Sequence, residues 1–183
     1  MNTNSIPEAF VSLSLAIWLV EHQIAAGDVS VAIDGAMVRV HGKQIFDPVS
    51  FLAEKGWKQA ESTGKWSGSF VHEALDHRIL VHSRPAEGDV VAEMTSGARF
   101  IAECKKGYIE PSTSSHEYRL MREALGQILT MEEIRDNDVL AVAIATNTKT
   151  STLALRWRRA PLVKKAGIKI LTIGLDGSVV GFV

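Results

Sequence analysis

Three residues in the middle of the chain have types and spacing suited to metal-assisted hydrolysis: Asp89, and thirteen intervening positions later the pair Glu103 and Lys105. Two carboxylates brought side by side repel one another, and a divalent cation between them removes that repulsion. The same cation can polarise a phosphate oxygen and acidify a bound water. An ammonium group alongside can orient or help deprotonate that water and offset charge on a phosphorane-like transition state.

For this to hold, the two segments must pair. Gly97 and its neighbours read as a turn, and a hairpin symmetric about Ser96 sets Met94 against Ala98, Glu93 against Arg99, Val91 against Ile101 and Asp89 against Glu103. Directly opposed residues on antiparallel strands have Cβ atoms roughly 4.5–5.5 Å apart, close enough to share one ion at the roughly 2.1 Å oxygen distances of Mg²⁺. One face of the ribbon then carries Asp89, Glu103 and Lys105. The other carries Val90, Ala92, Met94, Ala98, Phe100 and Ala102, an apolar surface suited to a core, with Cys104 pointing the same way. The bland alternative is a solvated face on which Glu87 and Lys105 form a cross-strand ion pair. Glu93 with Arg99 reads as a second such pair.

The runs Glu87-Gly-Asp89-Val-Val-Ala and Phe100-Ile-Ala-Glu103-Cys-Lys105-Lys-Gly resemble the PD-(D/E)XK phosphodiesterases, which include many restriction endonucleases and Holliday-junction resolvases. The resemblance implies a metal-dependent nuclease acting on nucleic acid, with DNA the expected substrate. It implies Mg²⁺, with Mn²⁺ able to substitute, held by Asp89 and Glu103, and Lys105 at the water nucleophile. It also implies a restriction-endonuclease-like α/β fold, a mixed sheet flanked by helices, from about Gly64 to Val183. Gly88 stands where the family name has proline, and Gln127 is not followed four residues later by the tyrosine that some branches use. Some members draw a further carboxylate from an earlier element, and Glu73 is the candidate for that metal ligand. A catalytically inactive, nuclease-like binding or assembly subunit is the alternative function.

The elements that must position these groups follow from periodicity. A chain of 183 residues fits one domain. Apolar residues from Phe10 through Ile24 give a first helix, and Val29 to Val40 about Asp34-Gly35 read as a hairpin. Together residues 1–47 form an extension to a core of residues 48–183. Asp47-Pro48 opens a second helix. Strands are expected at Ser69–Glu73, Arg78–His82, Asp89–Met94 and Ala98–Lys105, then a helix over Ser115–Glu133. The unbroken apolar run Val139–Ala145 reads as a strand covered on both faces. A basic helical stretch from Ser151 to Lys165, interrupted at Pro161, precedes strands Ile168–Ile173 and Val179–Phe182.

Composition excludes less than it orders. The chain carries 20 basic and 21 acidic residues, but residues 146–183 hold 7 basic and 1 acidic side chains. Within that stretch Arg156, Arg158, Arg159, Lys164 and Lys165, with Trp157 among them, are candidate phosphate contacts, or else a solvated helix surface. His72, His77 and His82 match no compact ligand motif. The single cysteine excludes an internal disulfide and a cysteine-rich zinc site, and fits a cytoplasmic location. No run reaches the roughly 20 apolar residues that span a bilayer, so no membrane partner is expected. The unusually apolar first helix leaves a homodimer surface open as a partner call.

Overall fold

In a computed structural model of the chain, residues 4–34, 39–40, 43–84, 87–112 and 115–182 are described. The order of elements is β1 (Ser5–Ile6), α1 (Glu8–Glu21), β2 (Val29–Ala32), β3 (Arg39–Val40), β4 (Lys43–Gln44), α2 (Pro48–Glu54) and β5 (Trp57–Ser62). Then come β6 (Gly68–His72), β7 (Ile79–His82), β8 (Val90–Glu93), β9 (Arg99–Lys105), β10 (Gly107–Tyr108) and α3 (His116–Leu129). The chain closes with β11 (Val139–Ala145), α4 (Thr148–Arg158), α5 (Pro161–Lys165), β12 (Lys169–Ile173) and β13 (Val179–Val180). No helix among the described residues is long and apolar enough to cross a membrane.

Nine strands form one mixed sheet in the order β13-β12-β11-β9-β8-β2-β7-β6-β5. β9, β11 and β12 are parallel neighbours, and parallel strands require crossovers, which α3 and the α4–α5 pair supply. β11 alternates between the two faces of the sheet. Ala141, Ala143 and Ala145 join one hydrophobic cluster, while Val142 and Ile144 join another with Leu120, Met121, Ala124 and Ile128 of α3. Burial on both faces explains its unbroken apolar sequence.

The hairpin of β8 and β9 has the register the sequence predicts: Val90 opposes Ala102, Val91 opposes Ile101, Ala92 opposes Phe100 and Glu93 opposes Arg99. Its turn closes with Gly97 at φ 81, a left-handed conformation that glycine adopts at no steric cost, and with Met94 N–H donating to the Ala98 carbonyl at 2.8 Å. The predicted apolar reverse face is the core face, where Val90, Phe100, Ala102 and Cys104 are fully buried.

The N-terminal region is not an extension. β2 lies inside the sheet, parallel to β7 and antiparallel to β8, and the Asp34-Gly35 hairpin expected to fold it onto residues 37–40 does not form that pairing. β3 pairs with β4 instead, and Gly35, Met37 and Val38 lie outside the described residues. Ser30 and Ala32 alternate with buried Val29 and Val31, so the pattern suited a central strand as well as a hairpin arm. Helix α1 packs across β2, β8, β9, β11 and β12. Leu13, Leu15 and Leu19 are wholly buried, so its apolarity goes into this core rather than a dimer surface. β5, which the sequence reading missed, is an edge strand exposed after Trp57.

Candidate active site at the end of β9

Asp89 immediately precedes β8, while Glu103 and Lys105 are the fifth and seventh residues of β9. Gly88 brings the chain hard against β9: a Cβ there would stand 2.7 Å from Ile101 Cγ2 and 3.1 Å from the Ala102 carbonyl oxygen. Any larger residue at position 88 would therefore push Asp89 away from its partner strand. As placed, Asp89 Oδ2 accepts the Cys104 N–H at 2.7 Å, and its carboxyl lies near enough to that of Glu103 for each to influence the other's protonation. The sequence places this pair opposite each other, and the structure brings the two carboxyls together.

Lys105 is buried, with its Nζ 3.5 Å from Glu123 Oε1 on α3 and 4.0 Å from Glu8 Oε1 at the start of α1. The alternative, a Glu87–Lys105 ion pair, is not what the structure shows. Glu87 pairs instead with Arg99, whose Nη2 also lies 2.7 Å from Asp138 Oδ2, while Glu93 pairs with Arg135 at 3.3 Å. The expected Glu93–Arg99 ion pair is thus opposed in register but not joined, because Asp138 offers Arg99 a more buried partner.

Four carboxylates, Glu8, Asp89, Glu103 and Glu123, surround one ammonium group, and the imbalance shows in their protonation. Burial, reinforced by the neighbouring charge of Asp89, pushes Glu103 up to about 7. Burial likewise pushes Glu8 up to about 7 against the pull of Lys105. Asp89 is raised by burial although the Cys104 N–H and Lys105 oppose the shift. Charged forms lose hydration here faster than one lysine and one amide can replace it. Perturbed groups that converge in this way mark candidate functional sites.

Glu8 is the site residue that the sequence reading missed. Its signal was a lone carboxylate at the head of an otherwise apolar helix, 81 positions before Asp89. Glu73, expected as the additional ligand, is far away: β8, β2 and β7 separate its strand from β9, it lies at the opposite end of the sheet, and it is an exposed partner of Lys58. His82 bonds Ser30 Oγ at 2.8 Å and His72 packs on Trp57, so neither joins the site.

The basic C-terminal residues also lie elsewhere. α4 starts beyond the end of β11, beside Lys105, and runs back along the sheet to the start of β12. Arg158 there donates to the carbonyls of Ile170 and Val180, each at 2.8 Å, and so ties α4 to β12 and β13. Arg156, Arg159, Lys164 and Lys165 are exposed on the stretch that leads into β12, which β11 separates from β9.

On the other side, Glu103 borders a cleft of about 430 Å³ lined by Glu87, Gln127, Thr130, Met131, Glu132 and Glu133. Among the described residues no three or more His, Cys, Asp or Glu side chains converge as a ready-made metal cage. The donor set fits a cation that keeps most of its water, since Mg²⁺ is commonly held by one or two carboxylates plus substrate phosphate. The proton that Glu103 holds to near neutrality is the one such an ion would displace.

Comparison with protein-family models, with curated proteins and with solved structures finds no match.

Proposed function

We propose that this protein is a divalent-metal-dependent nuclease with a restriction-endonuclease-like core, hydrolysing phosphodiester bonds in nucleic acid. The observation that carries the reading is the Asp89–Glu103 pair: two partly buried carboxyls on adjacent strands, near enough to influence one another's protonation, beside a buried lysine. The resemblance of Glu87–Ala92 and Phe100–Gly107 to the PD-(D/E)XK pattern supports the same assignment.

Asp89 and Glu103 are the proposed ligands of Mg²⁺ or Mn²⁺, which would polarise a phosphate oxygen and lower the pKa of a coordinated water. The Cys104 N–H fixes one oxygen of Asp89, and the other would be the one to meet the ion. Lys105, steadied between Glu8 and Glu123, offsets charge developing on the attacked phosphate. Glu8, poised near neutrality, is a proton acceptor within reach of the Lys105 ammonium.

The test is incubation of purified protein with linear, circular, single-stranded and branched DNA and with RNA, in Mg²⁺ or Mn²⁺. The reading expects cleavage that chelation abolishes, that Asp89→Ala removes and that Lys105→Ala slows by about 10²-fold or more. Cleavage at the wild-type rate in either variant refutes it. A second reading, an inactive nuclease-like binding subunit, draws on the lack of a three-ligand cage among the described residues; it expects nucleic-acid binding with no metal uptake at Asp89 and Glu103.

A further inference from the structure

The two flanks of the site differ in charge. The cleft side carries Glu87, Glu132 and Glu133 around Glu103, and a polyanion laid there meets repulsion at every step. The flank beyond the C-terminal end of β9 is different. Lys106 is exposed one residue past Lys105, and its backbone N–H reaches Glu8 Oε2 at 3.4 Å. Arg119 is exposed one helical turn before Glu123, whose carboxylate touches Lys105.

Helix periodicity sets His116, Arg119, Glu123 and Gln127 along a single stripe of α3, turned away from the buried residues Glu117, Leu120, Met121, Ala124 and Ile128. That stripe runs from the acidic cleft at Gln127, past the site at Glu123, to cations at Arg119. Among the described residues neither Arg119 nor Lys106 has a carboxylate within ion-pair distance, whereas Arg99, Arg135, Lys105 and Lys149 all do. Two exposed cations left without carboxylate partners, both on this flank of the partly buried carboxylate pair, are placed to neutralise phosphates next to the one being cut.

Building on the nuclease reading, we infer that Arg119 and Lys106 bind the phosphodiester backbone adjacent to the scissile phosphate. The nucleic acid then approaches from the α3 N-terminal flank, not across the acidic cleft and not over the α4–α5 basic surface. Phosphate contacts of this kind set position and affinity without reading sequence.

Binding of labelled single-stranded and duplex DNA, measured in chelator across a salt series, tests this. Arg119→Ala with Lys106→Ala should weaken binding by about tenfold or more at low salt and lower the slope of log K against log salt by about 1–2. Arg156→Ala with Arg159→Ala should leave both quantities unchanged, and Glu132→Gln with Glu133→Gln should not weaken binding. If the wild-type protein binds and cleaves DNA while the Arg119/Lys106 variant keeps its full salt slope, the track is wrong and the nuclease reading stands. If the wild type neither binds nor cleaves any nucleic acid, the nuclease reading falls and the track with it. An unchanged melting temperature for the variant confirms that a weakened affinity is not unfolding.

Discussion

Glu117 and Glu103 are both withdrawn from water, within one layer of the fold, yet they sit on opposite sides of the ordinary glutamate range. Burial alone would raise Glu117. The Ser112 hydroxyl, the Ser112 N–H at 2.6 Å and the Lys149 ammonium at 3.3 Å outweigh it and bring the carboxyl down to about 2. Around Glu103 the balance runs the other way: the carboxyls of Asp89 and Glu8 add to burial, Lys105 is shared, and the result is about 7. Burial is common to both, so the supply of donors decides. A buried carboxylate with a full set of donors holds the structure together, and one without them is a site waiting for a cation or a proton.

The sharpest way to break this comparison is to remove each side's key group. Asp89→Ala should abolish metal-dependent cleavage, and Lys105→Ala should reduce kcat by about 10²–10⁴-fold, the range for loss of a proton-transfer group, both read in steady-state assays with folded protein. Glu117→Ala should instead remove the acceptor that the Ser112 hydroxyl and N–H and the Lys149 ammonium share and cost about 1–3 kcal/mol of stability, with activity per folded molecule retained.

A smaller effect separates the signs. In metal-free buffer near pH 8, Glu103→Gln should stabilise the fold by on the order of 1–2 kcal/mol, the scale of one to two pKa units, whereas Glu117→Gln should destabilise it. Denaturant titrations of the two variants decide this, and equal signs would break the contrast.

The pH dependence follows the same division. Glu8 and Glu103 have folded values raised from 4.5 to about 7, so the folded state binds more protons than the unfolded one between those limits. Their contribution is fully present below pH 4.5 and is lost as pH rises through about 7. Glu117, lowered from 4.5 to about 2, contributes above pH 4.5 and is lost as pH falls toward 2. Added Mg²⁺ should therefore raise the melting temperature more at pH 8 than at pH 5.5. The smallest expected effect is at Arg158, where alanine should cost about 1 kcal/mol through the hydrogen bonds lost to the Ile170 and Val180 carbonyls, with no change in the salt dependence of DNA binding.

Much of the site was legible because it rests on one local hairpin. Alternation of Val90, Ala92, Phe100 and Ala102 against Asp89 and Glu103 fixes which face is buried, and a slip of one residue would turn every side chain over. Glu8 was not legible, since its place depends on α1 crossing a sheet in which one interior strand, β2, looked equally like half of a hairpin. Ion pairs were the least readable. Arg99 has Glu93 opposite it in register, but Asp138, 39 residues on and 1% exposed, takes the guanidinium. Local pattern sets strand pairing, whereas long side chains choose partners by burial that only the assembled fold creates.

Titration calorimetry with Mn²⁺ at pH 6.5, run in two buffers of different ionisation enthalpy, addresses the Asp89–Glu103 pair most directly. The account predicts one bound ion with release of a substantial fraction of a proton, and loss of both in Asp89→Asn and in Glu103→Gln. No binding to the wild-type protein, or unaltered binding to those variants, would contradict it.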